Sequence, residues 1–399
     1  MRRLLIAILL LGTAACIGAK SPSPHRVLII HSFGRDYAPF RGLTAVFRTE
    51  LARQLSHPVE FLEASLEMAR FEGEPREAPL QQYLMGLFED APPDLVVPIG
   101  APAALFHRRH RERLFPQAPV LITGSEQRRL NDLLGPNQEA SAVSTTVDLR
   151  AMLDNILQLL PRTRHVYVVF GITPMERFWQ AELQREWSAA SPGLELHWLS
   201  DQPLARLRET VRNLPPDSAV FFGILNRDAA GVPLEQEAGL RSLWETCSVP
   251  LFGYSEDQLG SGIVGGRLMS FRQTGIAAAR AAARILQAPS PPLSPIRQSI
   301  PMTQPLFDAR ELHRWGIPES SLPDHSTVLF REPGLWESHR SAVLAAVAVT
   351  ALQTALIVLL IAARRHTRET DARLRLAADS ASVGLWERDA TRDDIAASP

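Results

Sequence analysis

Cysteine is nearly absent from this chain. Cys16 sits in or just after an N-terminal apolar run and Cys247 lies deep in the interior of the sequence. Two such residues exclude a disulfide framework and a cysteine-rich zinc site. Cys247, between Trp244 and the apolar stretch VPLFGY, reads as a small core residue. Lysine is rarer still, Lys20 being the only one, and the arginine bias is read as genomic base composition. The net charge of −1 removes any global electrostatic case for nucleic acid as a partner. A catalytic constellation is missing as well. Ser125 and Ser255 have no positioned His–carboxylate partner, so a hydrolase is not expected. His107-Arg108-Arg109-His110 spaces its histidines i, i+3 with arginines between them, which suits a solvated helix face better than zinc. Gly260-Ser261-Gly262-Ile263-Val264-Gly265 matches GxGxxG but neither follows a strand nor opens a helix, so a glycine-rich crossing is expected there. No catalytic residue, no metal site and no cofactor of its own are expected.

What the chain does have is one long apolar run. Ser341 to Ala363 covers 23 residues without charge or proline. As a helix it would reach about 34 Å, enough for a hydrocarbon core of about 30 Å. Arg364, Arg365, His366 and Arg368 follow it directly. At the other end Arg2-Arg3 and LLIAILLLGTAACIGA form a secretory signal. Its fate stays open three ways. Ala14-Ala15-Cys16 resembles a lipoprotein box, with Thr13 where leucine is usual; Ala19 could close an ordinary cleavage site; or the run is a retained anchor. Both basic flanks place residues of about 25–340 outside the cytoplasmic membrane and 364–399 inside.

The outer segment alternates strand and helix, which predicts an α/β fold with parallel sheets. Strands are expected at HRVLIIH, VEFLEAS, DLVVPIG and PVLITG, and again at 143–147, HVYVVFG, LELHWLS, SAVFFGIL and VPLFGY. Two sets of similar size predict two lobes: lobe 1 over about 25–125 and 252–290, lobe 2 over about 143–250. Ser270 with Gln273 predicts a capping box for a last helix. The proline-rich break at 289–295 then opens a juxtamembrane segment to 340, read as a descent to the membrane. Ligands of open parallel sheets bind beyond the carboxyl ends of strands. The residues at those ends, most of them small, together with Tyr254 form the candidate ligand site: Ser32, Phe33, Gly34, Gly100, Ala101, Gly124, Ser125, Gly171, Ile172, Thr173 and Tyr254.

Taken in series, VLIIHSFGRDYAPF, EASLEMARF, DLVVPIGAPAA, RERLFPQAPVLITG, VVFGITPMERFW, DAAGVPL, VPLFGY and GGRLMSFRQTGIAAARAAARIL resemble the substrate-binding-protein-like sensor region of bacterial membrane sensor histidine kinases. The match covers roughly 25–370, with FDARELHRWGI, LPDHSTVLF and the apolar run in the same order. The resemblance implies a type I periplasmic-binding-protein fold, two Rossmann-like lobes joined by crossing strands, but no particular solute. The tail LRLAADSASVGLWERDATRDDI looks like the opening of a PAS domain, with Gly384 to Glu387 as first strand and Thr391 to Asp393 as turn. Family members continue with a dimerisation helix bearing a phospho-accepting histidine and a domain that binds ATP and Mg, so those cofactors are expected beyond Pro399. The implied function is a two-component sensor in the inner membrane, a homodimer that binds a small solute and signals to a response regulator. A membrane-tethered solute-binding protein of an ABC transporter is the alternative, and an enzyme on the same fold the third reading.

Overall fold

The computed structural model describes residues 23–68, 77–135, 139–189, 193–288, 294–331, 335–381, 386–389 and 394–397. The N-terminal signal, the start of the proline-rich break and the turn at 391–393 fall outside them. The chain divides into two compact units at Arg331 and Glu332.

In chain order, the first unit opens with β1 (His25–His31), α1 (Ala38–Gln54), β2 (Val59–Ser65), α2 (Glu77–Leu87), β3 (Leu95–Ile99), α3 (Ala101–His110), β4 (Leu121–Glu126), α4 (Leu130–Leu134) and β5 (Ser141–Thr145). It continues with α5 (Leu149–Leu159), β6 (His165–Val169), α6 (Pro174–Ser188), β7 (Glu195–Trp198), α7 (Leu204–Arg212), β8 (Ser218–Phe222), α8 (Gln236–Trp244) and β9 (Leu251–Phe252). Last come β10 (Gly265–Gly266), α9 (Phe271–Gln287), β11 (Arg297–Ile300), β12 (Leu306–Asp308), α10 (Ala309–Arg314) and β13 (Thr327–Leu329).

Lobe 1 is a six-stranded parallel sheet in the order β11-β5-β4-β3-β1-β2. Side chains alternate across a strand, and β1 shows why its apolar run is continuous. Val27 and Ile29 join one core with Leu43 and Phe47 of α1 and Ala278 and Ala282 of α9. Leu28 and Ile30 join another with Leu84 of α2 and Phe106 of α3. Lobe 2 repeats the arrangement on the order β7-β6-β8-β9. Val166, Val168 and Phe221 face α5 and α6 through Leu153 and Trp187, while Val220 and Phe222 face α7 and α8 through Val211 and Leu240.

The chain crosses between the lobes three times, around residues 146–148, 253–270 and 301–305. Hydrogen bonds lace these crossings together. Thr146 N donates to Ile300 O at 2.8 Å, Thr303 N to Leu268 O at 2.8 Å, and Met269 N to Tyr254 O at 2.8 Å.

Two boundaries and one helix cap differ from the sequence reading. The strand expected to open lobe 2 is β5, which pairs with β4 in the sheet of lobe 1. An apolar strand reads alike in either sheet, and only its pairing decides. The segment expected to descend to the membrane instead folds back. β11 becomes the edge of lobe 1, and β12 pairs with both β10 and β13. Beyond β12, Glu311 accepts from Trp244 Nε1 at 2.9 Å, which holds α10 on lobe 2, and from Trp315 Nε1 at the end of its own helix at 3.2 Å. Third, Ser270 does cap α9, accepting from Gln273 N at 3.1 Å, but its hydroxyl donates to Glu256 at 2.7 Å. On α6, Thr173 and Glu176 do form a full capping box.

The second unit is α11 (Leu335–Ala381), followed by the antiparallel hairpin β14 (Trp386–Asp389) and β15 (Asp394–Ala397). The apolar run and the helix expected after it are one helix of 47 residues. Its stretch Arg340–Ala377 is long and apolar enough to cross a membrane. Thr350 and Thr354 donate to the carbonyls of Ala346 and Thr350, each at 2.8 Å. That satisfies their hydroxyls within the helix, as a hydrocarbon surrounding would require.

Candidate functional site

The strands of both lobes end at a shared cleft. Its inner part is a cavity of about 70 Å³ walled by both lobes. Lobe 1 contributes Tyr37 and Phe40 at the start of α1, Ala101 at the start of α3, and Gly124, Ser125 and Glu126 at the end of β4. Lobe 2 contributes Phe170 after β6, Met175 and Trp179 of α6, and Phe221 and Ile224 around the end of β8. Tyr254 comes from the second crossing and Phe271 from the start of α9. Ligand pockets commonly hold about 300–1,000 Å³, so the lobes here are drawn together around a mostly apolar lining that includes several aromatic rings.

Glycine is required twice in this wall. Gly100 has φ 84° and Gly124 φ 67°, and a Cβ on either would press on the Phe40 ring. The space that small residues were expected to leave at these strand ends is therefore partly filled by Phe40, itself 6% exposed.

Polar groups sit at one side. Burial pushes the Glu126 carboxyl above its ordinary range, against the Arg128 amide and guanidinium, and burial lowers the Arg129 pKa. Arg128 ties the lobes. Its guanidinium reaches Glu182 at 3.2 Å and Glu186 at 2.8 Å on α6, and Val147 O at 3.0 Å on the first crossing. Arg129 stacks over Phe178 of the same helix at 4.8 Å. At the cavity the buried Ser125 hydroxyl finds no hydrogen-bond partner among the described residues, while beyond Tyr37 the buried Asn226 side chain meets the Tyr37 hydroxyl.

Tyr37 separates this cavity from an outer groove of about 690 Å³ lined by Phe33, Gly34, Arg35, Arg41, Glu67, Asn226 and Glu237 among others. Arg41 pairs there with Glu237 across the lobes at 3.1 Å. Nearby, burial and then Glu256 push Asp257 up to about 7. Burial likewise holds the Tyr37 hydroxyl well above its usual range, with Tyr254 adding to the effect.

The candidate residues divide accordingly. Ala101, Gly124, Ser125 and Tyr254 line the cavity, and Phe33 and Gly34 line the groove. Gly100 lies behind the Phe40 ring. Ser32 is spent internally, donating to Ile99 O at 2.6 Å and accepting from Ala103 N at 3.0 Å. Ile172 N donates to Arg227 O at 3.1 Å, Thr173 caps α6, and a Cβ on Gly171 would strike Arg227 O and Glu176. The aromatic wall was missed by a search for small residues. Its signal was there in Tyr37, Phe40, Met175 and Trp179, all at the start or in the first turns of the helices that follow β1 and β6.

The basic run on α3 is not uniformly solvated. Arg109 and His110 pair with Glu77, the latter at 2.8 Å. His107 is 3% exposed, and burial, with Arg111, lowers its pKa to about 4. The unfolded chain takes up this proton near pH 6.5 and the folded one only near 4. The folded state is thus favoured fully above pH 6.5 and loses up to about 3 kcal/mol as pH falls to 4. Urea unfolding at several pH values should show that loss, and His107→Leu should remove this share of it. Cys247 is buried as expected, its thiol 3.2 Å from Val249 O and pushed up in pKa by burial.

No protein-family model matches the chain. No curated protein is significantly similar to it in sequence. Among solved structures, the ABC domain in complex with L-Trp from Streptococcus pneumonia is 14% identical, with TM-score 0.56, over 77% of this chain and 100% of its own. A conserved domain protein from Vibrio cholerae is 17% identical, with TM-score 0.56, over 77% and 99%. The ligand-free, open substrate binding protein with adhesive properties from Clostridium difficile is 12% identical, with TM-score 0.54, over 77% and 100%. The class these define is the α/β, two-lobed fold of type I periplasmic binding proteins, and this chain has that fold.

Proposed function

We propose that residues 23–331 form the solute-binding part of a membrane sensor of the two-component kind. The observation that carries this is the cavity walled by both lobes, with the buried Ser125 hydroxyl at its edge. Its lining suits a solute with an aromatic or branched apolar body and one polar end. The folds of the similar structures, one of them in complex with L-Trp, are compatible with this. Such a solute acts by binding the closed arrangement more tightly than the open one, since equal affinity would shift nothing. In this reading the outer unit lies in the periplasm, α11 spans the inner membrane, and the cytoplasmic stub leads to a PAS domain. A histidine kinase using ATP and Mg, a homodimer and a response regulator complete the scheme. The basic residues after Ala363 support that orientation.

The second reading, a tethered solute-binding protein of an ABC transporter, is favoured by the substrate binding protein among the similar structures. A frame continuing past Pro399 into a histidine box supports the sensor, and permease genes next to it support the transporter.

A thermal-shift screen of the full chain in detergent tests solute binding itself. A matching solute at 100 times its Kd should stabilise by about 2.7 kcal/mol, a shift of several degrees. Trp179→Ala should abolish the shift, and Arg128→Ala should weaken binding up to about 10-fold through the lost interlobe pairs. A folded chain that no apolar or aromatic solute stabilises would sink the proposal.

A further inference from the structure

Far from the cleft, at the other end of the lobe 2 sheet, His165, Glu195 and His197 bring one donor atom each to a common point. They come from two neighbouring strands. His165 is directly opposite Glu195 in the β6–β7 register, and Tyr167 opposite His197. Alternation across each strand puts Glu195 and His197 on one face, beside His165. The separations are 3.2 Å for His165 Nδ1 to His197 Nε2, 3.1 Å for His165 Nδ1 to Glu195 Oε2, and 3.6 Å for His197 Nε2 to Glu195 Oε2.

Hydrogen bonding alone serves this triangle poorly. With neutral rings, a proton on His197 Nε2 that serves His165 Nδ1 turns the lone pair of His165 toward the Glu195 carboxylate. A proton on His165 Nδ1 has two acceptors competing for it instead. A cation at the centre satisfies all three atoms at once. The size also fits. Zinc holds N and O donors at about 2.0–2.2 Å, so the edges of its tetrahedron are about 3.3–3.6 Å. The triangle here has a circumscribed radius of about 1.9 Å. An ion about 0.7 Å above its plane would meet all three donors at bonding distance and keep a fourth position for water. Tyr167 stacks on the His197 ring with centroids 4.4 Å apart and planes 13° from parallel, which fixes that ring before any ion arrives. Partial exposure of Glu195 and His197, 66% and 36%, leaves a way in.

We propose that His165, Glu195 and His197 bind one zinc ion, which clips the short edge strand β7 to β6. The site is independent of whatever occupies the cleft. The test uses the full chain in detergent, stripped of metal, with zinc sulfate as the probe and a chromogenic chelator as competitor. One equivalent should bind. His165→Ala or His197→Ala should lower the affinity at least about 100-fold, more than loss of an outer-shell partner does. Glu195→Ala, at a mostly exposed position, removes a ligand without disturbing the ring packing and should lower it at least about 10-fold. Cobalt in place of zinc should give the intense visible absorption of a four-coordinate ion, absent from the variants. Binding below one equivalent, affinity unchanged in Glu195→Ala and His165→Ala, or the weak spectrum of a six-coordinate cobalt would each overturn the assignment.

Discussion

Gly265→Ala is expected to destabilise the first unit by about 3–5 kcal/mol, joining backbone strain to a steric clash. Gly265 has φ 124°, a conformation that side chains rarely adopt, and its Cβ would land on the Leu306 carbonyl and the Phe307 main chain. The partner is backbone, because β10 pairs with β12 at this point, so no side chain can move aside. The region acts as the expected glycine-rich crossing. The next helix, α9, opens only at Phe271, too late for a phosphate loop. Urea unfolding measures the cost, with Gly316→Ala as control. Gly316 also has positive φ, at 63°, but nothing lies within 4 Å of its Cβ position. The control should lose only about 1–2 kcal/mol. Equal losses at the two positions would show that packing against β12 contributes nothing.

Trp187→Ala should cost a similar amount, about 3–5 kcal/mol, by opening a cavity in lobe 2. Trp187 is 1% exposed. Its Nε1 donates to Leu149 O at 2.7 Å, and its ring meets Phe221 edge-on with centroids 5.0 Å apart. Leu149, Leu183 and Phe221 also line the cleft cavity, so this indole is the floor on which the candidate site rests. Trp187→Phe should lose less, about 1–2 kcal/mol, because it keeps the ring and forfeits the hydrogen bond. Chemical unfolding with an unchanged m-value separates this from a looser native state. Domains hold only about 5–15 kcal/mol in all, so Trp187→Ala should also blunt any solute-induced thermal shift.

The elements whose pattern is local were legible. VEFLEAS is β2 from end to end, and the apolar run after residue 340 lies within one helix. The candidate site was legible only in outline. Strand ends do converge on a cleft, but Ser32 and Thr173 are consumed by their own backbone surroundings, while Phe40 fills the room beside Gly100 and Gly124. His107 looked like part of a charged face because its neighbours are arginines, yet the helix turns it into the lobe 1 interior.

Local periodicity and chain chemistry determined the α/β alternation, the two-lobed plan and a helix able to cross a membrane, since each depends on residues a few positions apart. Tertiary structure alone decided that β5 and β11 belong to lobe 1, and that Arg128 of lobe 1 meets Glu182 and Glu186 of lobe 2. It also decided that His165 meets Glu195 and His197 across thirty residues of chain. Strand partners and facing surfaces are chosen by competing long-range contacts of nearly equal local appearance, and no window of sequence contains that choice.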